Sequence, residues 1–301
     1  MFKAIITGFL TFWSIFSGCP YSNKNCSECP SFKYSFDKIG HIPSLIKESS
    51  GLVLIDDLFL TQGDSGNEPT LFGFKYPFNT DSLQGLMPIP EAKNTDWEDL
   101  AFDGDSIIFI GDFGNNGNQR KDLKIIRYNM ETMRSEVIEF EYQNQDYFPP
   151  QKRKNQNFDC EAMFWYKSQL YIFSKNKKSK YVNVYRLSDS NPLQKLTPIE
   201  SIKLKHTQVT SADISPDQNE IALLAYGKVL FFSIIEDDTG KLSFRPKSCK
   251  RVGRSGQAEA IIYLDNKNLM ITNEKGKVFL ISRKYQKRKD TLEKSELYFP
   301  E

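Results

Sequence analysis

Histidine is nearly missing from this chain. Only His41 and His206 occur in 301 residues, far apart and outside any repeated motif. A histidine-based triad or zinc centre therefore has too little to be built from. Neither a GxxxxGK[ST] nor a GxGxxG stretch is present, which removes the two common glycine-rich phosphate cradles. A charge excess is missing too, since 40 Lys+Arg stand against 38 Asp+Glu for a formal charge of +2. The basic runs "QKRK" from Gln151, "KNKKSK" from Lys175 and "YQKRKD" from Tyr285 carry few interleaved aromatics. They read as solvated loops, and no nucleic-acid partner is expected. The five cysteines are too few for a disulfide-rich scaffold. The "CSEC" pair, Cys26 and Cys29, lacks a second ligand pair for zinc, which leaves a local disulfide or two free thiols. Cys160 and Cys249 are expected as buried strand residues, paired or unpaired. Apolar stripes with a helical period are hard to find after residue 40.

What the chain has instead is aromatic residues, 23 Phe and 14 Tyr, which suit strands better than helices. Short apolar runs such as "SIIFIG", "QLYIFS", "KVLFFS" and "KVFLIS" are each bounded by Gly, Asn, Asp or Lys. Many short strands follow from that pattern. The first 18 residues differ: one early lysine, an apolar stretch too short to span a membrane, then small residues before Cys19. Residues 1–18 read as a secretory signal. The ending "IFSGC" resembles a bacterial lipobox, with Phe16 where Leu is common. Cys19 is then the lipidated first residue of the mature protein; an ordinary cleaved signal is the alternative. Residues 19–33 form a polar tether, and residues 34–301 a single domain. The expected location is outside the cytoplasm, lipid-anchored to a bacterial membrane and facing periplasm or exterior.

Five stretches align along that domain. They are "SSGLVLIDDLFLTQGDSGN" from Ser49, "WEDLAFDGDSIIFIGDFGNN" from Trp97, "CEAMFWYKSQLYIFSKNKK" from Cys160, "SADISPDQNEIALLAYGK" from Ser211 and "AEAIIYLDNKNLMITNEKGK" from Ala258. Each reads as strand, tight turn, strand and polar turn, and most continue into a third strand. The equivalent positions Ser50, Glu98, Glu161, Ala212 and Glu259 recur roughly every 50 residues, near the period of propeller blades. A four-stranded blade cannot bury both faces alone, so blades pack around a channel. The expected fold is all-β, a β-propeller of five blades, or six if a degenerate copy escapes the alignment. The last copy lacks a fourth strand, and "YSFDKIGHIP", residues 34–43, is expected to supply it and close the ring. An insertion at 142–158 widens the second interval.

The start of strand one and the end of strand two share one face of such a ring. Asp96, Glu98 and Asp112 should therefore meet at one channel mouth, joined by Asp159, Glu161 and Glu259 from the other repeats. Like charges gathered there need a cation, bound water or shared protons. Calcium suits such a site because it takes oxygen ligands from carboxylates, which makes Asp96, Glu98, Asp159, Glu161 and Glu259 candidate metal ligands. The other reading is that each glutamate accepts backbone amides of a neighbouring blade. The second-strand turns bring Asp64, Asn67, Asp112, Asn115, Asn116, Arg120, Lys175, Asn176 and Asn273 to the same face. These are candidate ligand-binding residues, or plain turn formers.

The elements "GDSGN", "DWEDLA" with "IGDFGNN", "DCEAMF" with "LYIFSKN", "VTSADISPD" with "ALLAYG", and "QAEAI" with "TNEKG" cover most of residues 50–281 in order. They resemble a family of exported bacterial propellers related to the phytase-like propellers. Calcium-dependent propeller phytases are similar in opening a blade with Asp-x-Glu-Gly, where this chain has Asp99 or Ala162 after the glutamate. The resemblance implies a cell-envelope propeller lipoprotein that binds a small molecule or an envelope protein at its polar channel mouth. The alternative it implies is a calcium-dependent hydrolase of a phosphoester or related anionic ester.

Overall fold

The computed structural model describes residues 32–175, 179–189, 193–204, 207–253 and 255–285. The expectations placed on Cys19, Cys26, Cys29, Asn176 and His206 lie outside those residues. Strand β1 (Phe32–His41) precedes the first blade, formed by β2 (Ser49–Ile55), β3 (Leu58–Gly63), β4 (Thr70–Phe74) and β5 (Leu83–Pro88). The second blade is β6 (Trp97–Phe102), β7 (Ile107–Asp112), β8 (Lys124–Asn129) and β9 (Arg134–Tyr142). The third is β10 (Cys160–Tyr166), β11 (Gln169–Ser174), β12 (Tyr181–Ser188) and β14 (Glu200–Lys203), with β13 (Leu193–Leu196) leaving it to pair in parallel with β9. The fourth is β15 (Val209–Ile214), β16 (Glu220–Ala225), β17 (Lys228–Glu236) and β18 (Leu242–Arg251). The fifth is β19 (Ala258–Tyr263), β20 (Asn268–Asn273) and β21 (Lys277–Tyr285), completed by β1.

The all-β five-bladed propeller expected from the repeats is therefore the observed fold, and the N-terminal strand closes the ring. Strand β1 begins two residues earlier than residue 34, inside the stretch read as tether. It pairs antiparallel with β21 from Phe32 opposite Tyr285 to His41 opposite Lys277. Tyr34 and Phe36 reach the apolar layer between the fourth and fifth blades, stacking on Phe231 and Phe279. The fifth strand that β13 adds to the second blade was not legible. Its partner lies in another repeat, and parallel pairing leaves no local turn signal.

Strand alternation explains why the blades stack. In β7, Ile107 and Phe109 pack in the layer shared with the third blade, while Ile108 and Ile110 pack in the layer shared with the first. Both faces of the strand are buried, so the apolar run is continuous rather than alternating with polar residues. Five such interblade layers surround the ring. The innermost strands β2, β6, β10, β15 and β19 contact one another in cyclic order around the channel.

Pairing slips at the start of every innermost strand, between Ser50 and Val53, Trp97 and Leu100, Cys160 and Ala162, Val209 and Ser211, and Ala258 and Ala260. Such a bulge inserts an unpaired residue and re-aims its side chain. In the last three strands the extra residues are Glu161, Thr210 and Glu259, and Glu98 lies inside the slip of β6. The fourth-blade counterpart of these glutamates is therefore Thr210, not Ala212. An alignment on apolar residues misplaces it because the bulge shifts the register. Cys160 is a fully buried free thiol and Cys249 is disulfide-bonded, so these two are not paired with each other.

Candidate functional site

One backbone hydrogen bond recurs at the mouth of all five blades. A residue one or, in the second blade, two positions past strand two donates to the residue just before strand one: Asp64 to Glu48, Gly114 to Asp96, Lys175 to Asp159, Tyr226 to Gln208 and Glu274 to Gln257, at 2.7–3.3 Å. Local hairpin geometry therefore fixes which side chains ring the mouth. Gly114 stands where the other blades place a side chain, and the reason is steric. A Cβ there would lie 2.2 Å from Glu98 Oε1 and 2.5 Å from Asp96 Oδ2.

Asp64, Asp96 and Glu98 converge in that space, with carboxylate oxygens all within 4.8 Å of one another. Asp96 also donates its backbone N–H to Asp112 Oδ1 at 3.1 Å, but the Asp112 carboxylate pairs with Arg120 and Lys124 and stands outside the cluster. Burial, then the charge of Asp64, pushes Asp96 up to about 6. Burial, then Glu161, holds Glu98 well above the usual carboxylate range. Burial raises Asp64 as well, against the pull of the Ser65 amide and Lys175.

Glu161 and Glu259 take different company. Lys175 Nζ pairs with Glu161 Oε2, both nearly inaccessible. Among the described residues Glu161 Oε1 has no hydrogen-bond partner. Tyr226 donates its hydroxyl to Glu259 Oε1 at 2.8 Å, and its ring lies 5.7 Å from the Lys175 ammonium. Burial works against charge on Lys175, but Glu161, Tyr226, Glu98 and Glu259 hold its ammonium well protonated. Burial lifts Glu259 to about 7. Tyr226 was missed from sequence although it occupies the repeat position of Asp64, Lys175 and Glu274. A tyrosine in a "YG" turn carries no chemical signal by itself.

The turn residues mostly build turns. Asn67 donates its amide to the Asp64 carbonyl. Asn115 donates to the Phe158 carbonyl and accepts from the Gln119 and Arg120 amides. Asn273 donates to the Ser255 carbonyl and accepts from Lys275 and Lys277. Arg120 pairs with Asp112 at 2.9 Å and Asp122 at 3.1 Å, and Lys124 adds a 3.2 Å contact to Asp112. Asp159 accepts the Asn115 amide at 2.7 Å. Asn116 is exposed at the loop tip.

The interblade acceptor role proposed for the glutamates belongs instead to Asp99. Its Oδ1 accepts Leu100 N–H and the Ser211 hydroxyl, and its Oδ2 accepts the N–H of Met163 and Ala212, all at 2.9–3.1 Å. One carboxylate thus ties the second blade to the third and fourth across the channel. Below it the channel opens into a cavity of about 340 Å³ among Leu54, Phe102, Trp165 and Ile262. The acidic mouth and this cup, which Asp213 and Tyr263 also line, lie at opposite ends of the innermost strands.

No known family model and no curated protein matches this chain. Among solved structures it is similar to the β-propeller domain of Myceliophteria thermophila Cps50 (Swd1), at 8% identity and TM-score 0.47, over 82% of this chain and 99% of that one. It is also similar to an auxiliary nutrient binding protein from Bacteroides thetaiotaomicron, at 8% identity and TM-score 0.45, over 84% and 77% of the two chains. Neither likeness bears on the phytase-like resemblance of the motifs, and what places this chain among propellers is its own five-sheet ring.

Proposed function

We propose that this propeller is an exported, lipid-anchored binding module of the cell envelope whose channel mouth takes a divalent cation, and through it a small-molecule or protein ligand. The observation that carries the reading is the approach of Asp64, Asp96 and Glu98 to within 4.8 Å of one another. Three carboxylates so placed repel unless a cation or shared protons intervene. The donor set is all oxygen and irregular, which suits calcium rather than a softer metal. The buried, unpartnered Oε1 of Glu161 supports the same reading.

Calcium is expected to stabilise the protein in a pH-dependent way. Asp96 is raised from 3.8 to about 6 and Glu259 from 4.5 to about 7. The stability tied to these groups is therefore full below their ordinary values, and is lost as pH rises through about 6 and 7. A cation binds the deprotonated carboxylates and offsets that loss, so its effect grows over the same window. At calcium about a hundredfold above its Kd the gain is ~2.7 kcal/mol, or roughly 5–10 °C in Tm for a domain of this size. Melting at pH 5 and pH 8, with calcium and with chelator, should give a small shift at the lower pH and the full one at the higher. Glu98→Gln should shrink the shift. Identical melts with calcium and chelator at pH 8 would remove the cation from this reading.

A hydrolytic reading has one observation in its favour. Burial raises Asp96, one of the three clustered acids, to about 6 and Glu259 to about 7, the range a general base needs. Chelator-sensitive turnover of a phosphoester panel, lost in Glu161→Gln, would replace the binding reading with a calcium-dependent hydrolase. Lipid attachment rests on the "SGC" leader ending, and the disulfide at Cys249 fits an oxidising compartment. Intact mass of the membrane-fraction protein should carry a diacylglyceryl-type addition that Cys19→Ser abolishes; a soluble, unmodified mature chain would rule it out.

A further inference from the structure

The insertion between the second and third blades builds a second concave surface, distinct from the acidic mouth but on the same face of the ring. Strand β9 ends there, and β10 and β12 begin there. The cavity measures about 630 Å³, bounded by residues 144–158 on one side and by the start of β12 with Ser201 on the other. That volume lies in the range of small-molecule sites.

Its lining is rich in amides and tyrosines. Asn144, Asn155 and Asn157 come from the insertion, and Tyr147 and Tyr181 line the cavity from the insertion and from the start of β12. Both rings are left open to solvent, at 59% and 43% exposure, although burial would be worth most for side chains of this size. Asn157 is the reverse case. It is only 8% exposed, its Nδ2 donates to the Tyr181 carbonyl at 3.0 Å, and its Oδ1 has no hydrogen-bond partner among the described residues. A buried acceptor without a donor is costly, and an apolar occupant would leave it so. Asn183 and Ser201 already bond each other at 2.8 Å, so they shape the wall rather than wait for a ligand.

An amide offers two donors and an acceptor in one plane, which matches neighbouring hydroxyls on a pyranose ring. A tyrosine offers a flat face for the C–H side of the same ring and a hydroxyl at its edge. We propose that this cavity binds a short oligosaccharide, with the Asn157 side chain turning to let Oδ1 accept a sugar hydroxyl and with Tyr147 and Tyr181 packing against the sugar. Lys152 and Lys154 line the same surface against the single acid Asp146. A uronate-bearing sugar therefore gains a charge contact that a neutral one lacks.

Titration calorimetry of the mature chain against maltotriose, cellotriose, tri-N-acetylchitotriose and trigalacturonate tests this. At least one should bind saturably, and the uronate's advantage, where present, should fade with salt. Tyr147→Ala and Tyr181→Ala, both surface substitutions, should each weaken the binding about tenfold, equivalent to ~1.4 kcal/mol, with an unchanged melting temperature. Asn157→Ala should weaken it as well. Glu98→Gln and chelator should leave it intact, so loss of the cation site and loss of this one are separable results. No saturable binding by any of the four, or binding that survives both tyrosine substitutions, overturns the proposal.

Discussion

Asp99→Ala is expected to destabilise the propeller more than removal of any acid at the mouth. The substitution strands the N–H groups of Met163 and Ala212 and the Ser211 hydroxyl, all buried and drawn from two other blades. At roughly 1–3 kcal/mol for each buried donor left unsatisfied, the two backbone amides alone give about 2–6 kcal/mol. With ~2–4 °C per kcal/mol for a large domain, the melting temperature falls by roughly 4–24 °C. Asp99→Asn should recover part of the loss, because the amide oxygen can take the place of Oδ2 and accept both backbone amides while the nitrogen donates to the Ser211 hydroxyl, leaving only the Leu100 N–H without this acceptor. Asp103 is the control. Its Oδ1 also accepts three amides, from Asp105, Ser106 and Ile107, but within one half-buried turn that water can reach. Asp103→Ala should cost no more than about 1.5 kcal/mol. Equal losses at the two positions would mean that Asp99 does not hold the blades together.

The second large effect lies where the ring closes. Glu220 in the fourth blade is almost fully buried. It accepts the Tyr263 hydroxyl at 2.7 Å, pairs with Arg283 of the fifth blade, and meets Lys247 at 2.7 Å. Arg283 also donates to the Asn266 carbonyl and lies 5.2 Å from the Phe231 ring. Glu220→Ala removes the charge that compensates a buried guanidinium, and breaking such a pair costs about 3–5 kcal/mol. That corresponds to roughly 6–20 °C in melting temperature. The double variant Glu220→Met with Arg283→Leu should recover much of the loss, since no buried guanidinium is left uncompensated and the partly exposed Lys247 can turn its ammonium to solvent. Thermal melts of both singles and the double form a cycle. A double variant no better than the singles would mean that the packing around Arg283, not its charge, sustains this seam.

A buried ion cluster beside the closing strand is a tertiary fact that the sequence does not announce. Glu220 follows "SPDQN" and reads as an ordinary turn acid, and Arg283 lies in a strand whose neighbours are unremarkable. Asp99 is similar. In "WEDLA" it follows the glutamate that the repeat picks out, yet it is Asp99 that crosses the channel. The alignment weighs residue types that recur, and the position of Asp99 is taken in the fourth blade by Ser211, whose hydroxyl oxygen accepts the Ile261 N–H of the next blade, so the shared interblade role is hidden by a change of residue. The expectation that the glutamates would accept interblade amides named the right device on the wrong residue.

By itself the sequence determined the all-β propeller class and the closing N-terminal strand, and favoured five blades while leaving six open. Each of these depends on short-range regularities: strand alternation, the spacing of turns, and the antiparallel return of a hairpin that puts the start of one strand beside the end of the next. Only the tertiary structure decided which charges meet. Asp64 joins Asp96 and Glu98 across a blade boundary, whereas Lys175 and Tyr226 claim Glu161 and Glu259. The bulges decided that Thr210 is their fourth-blade counterpart, and parallel pairing sent β13 to a neighbour's edge. Such outcomes depend on contacts between residues tens to hundreds of positions apart. Those contacts are selected by the radial packing of whole blades, for which no local pattern in the chain carries a signal.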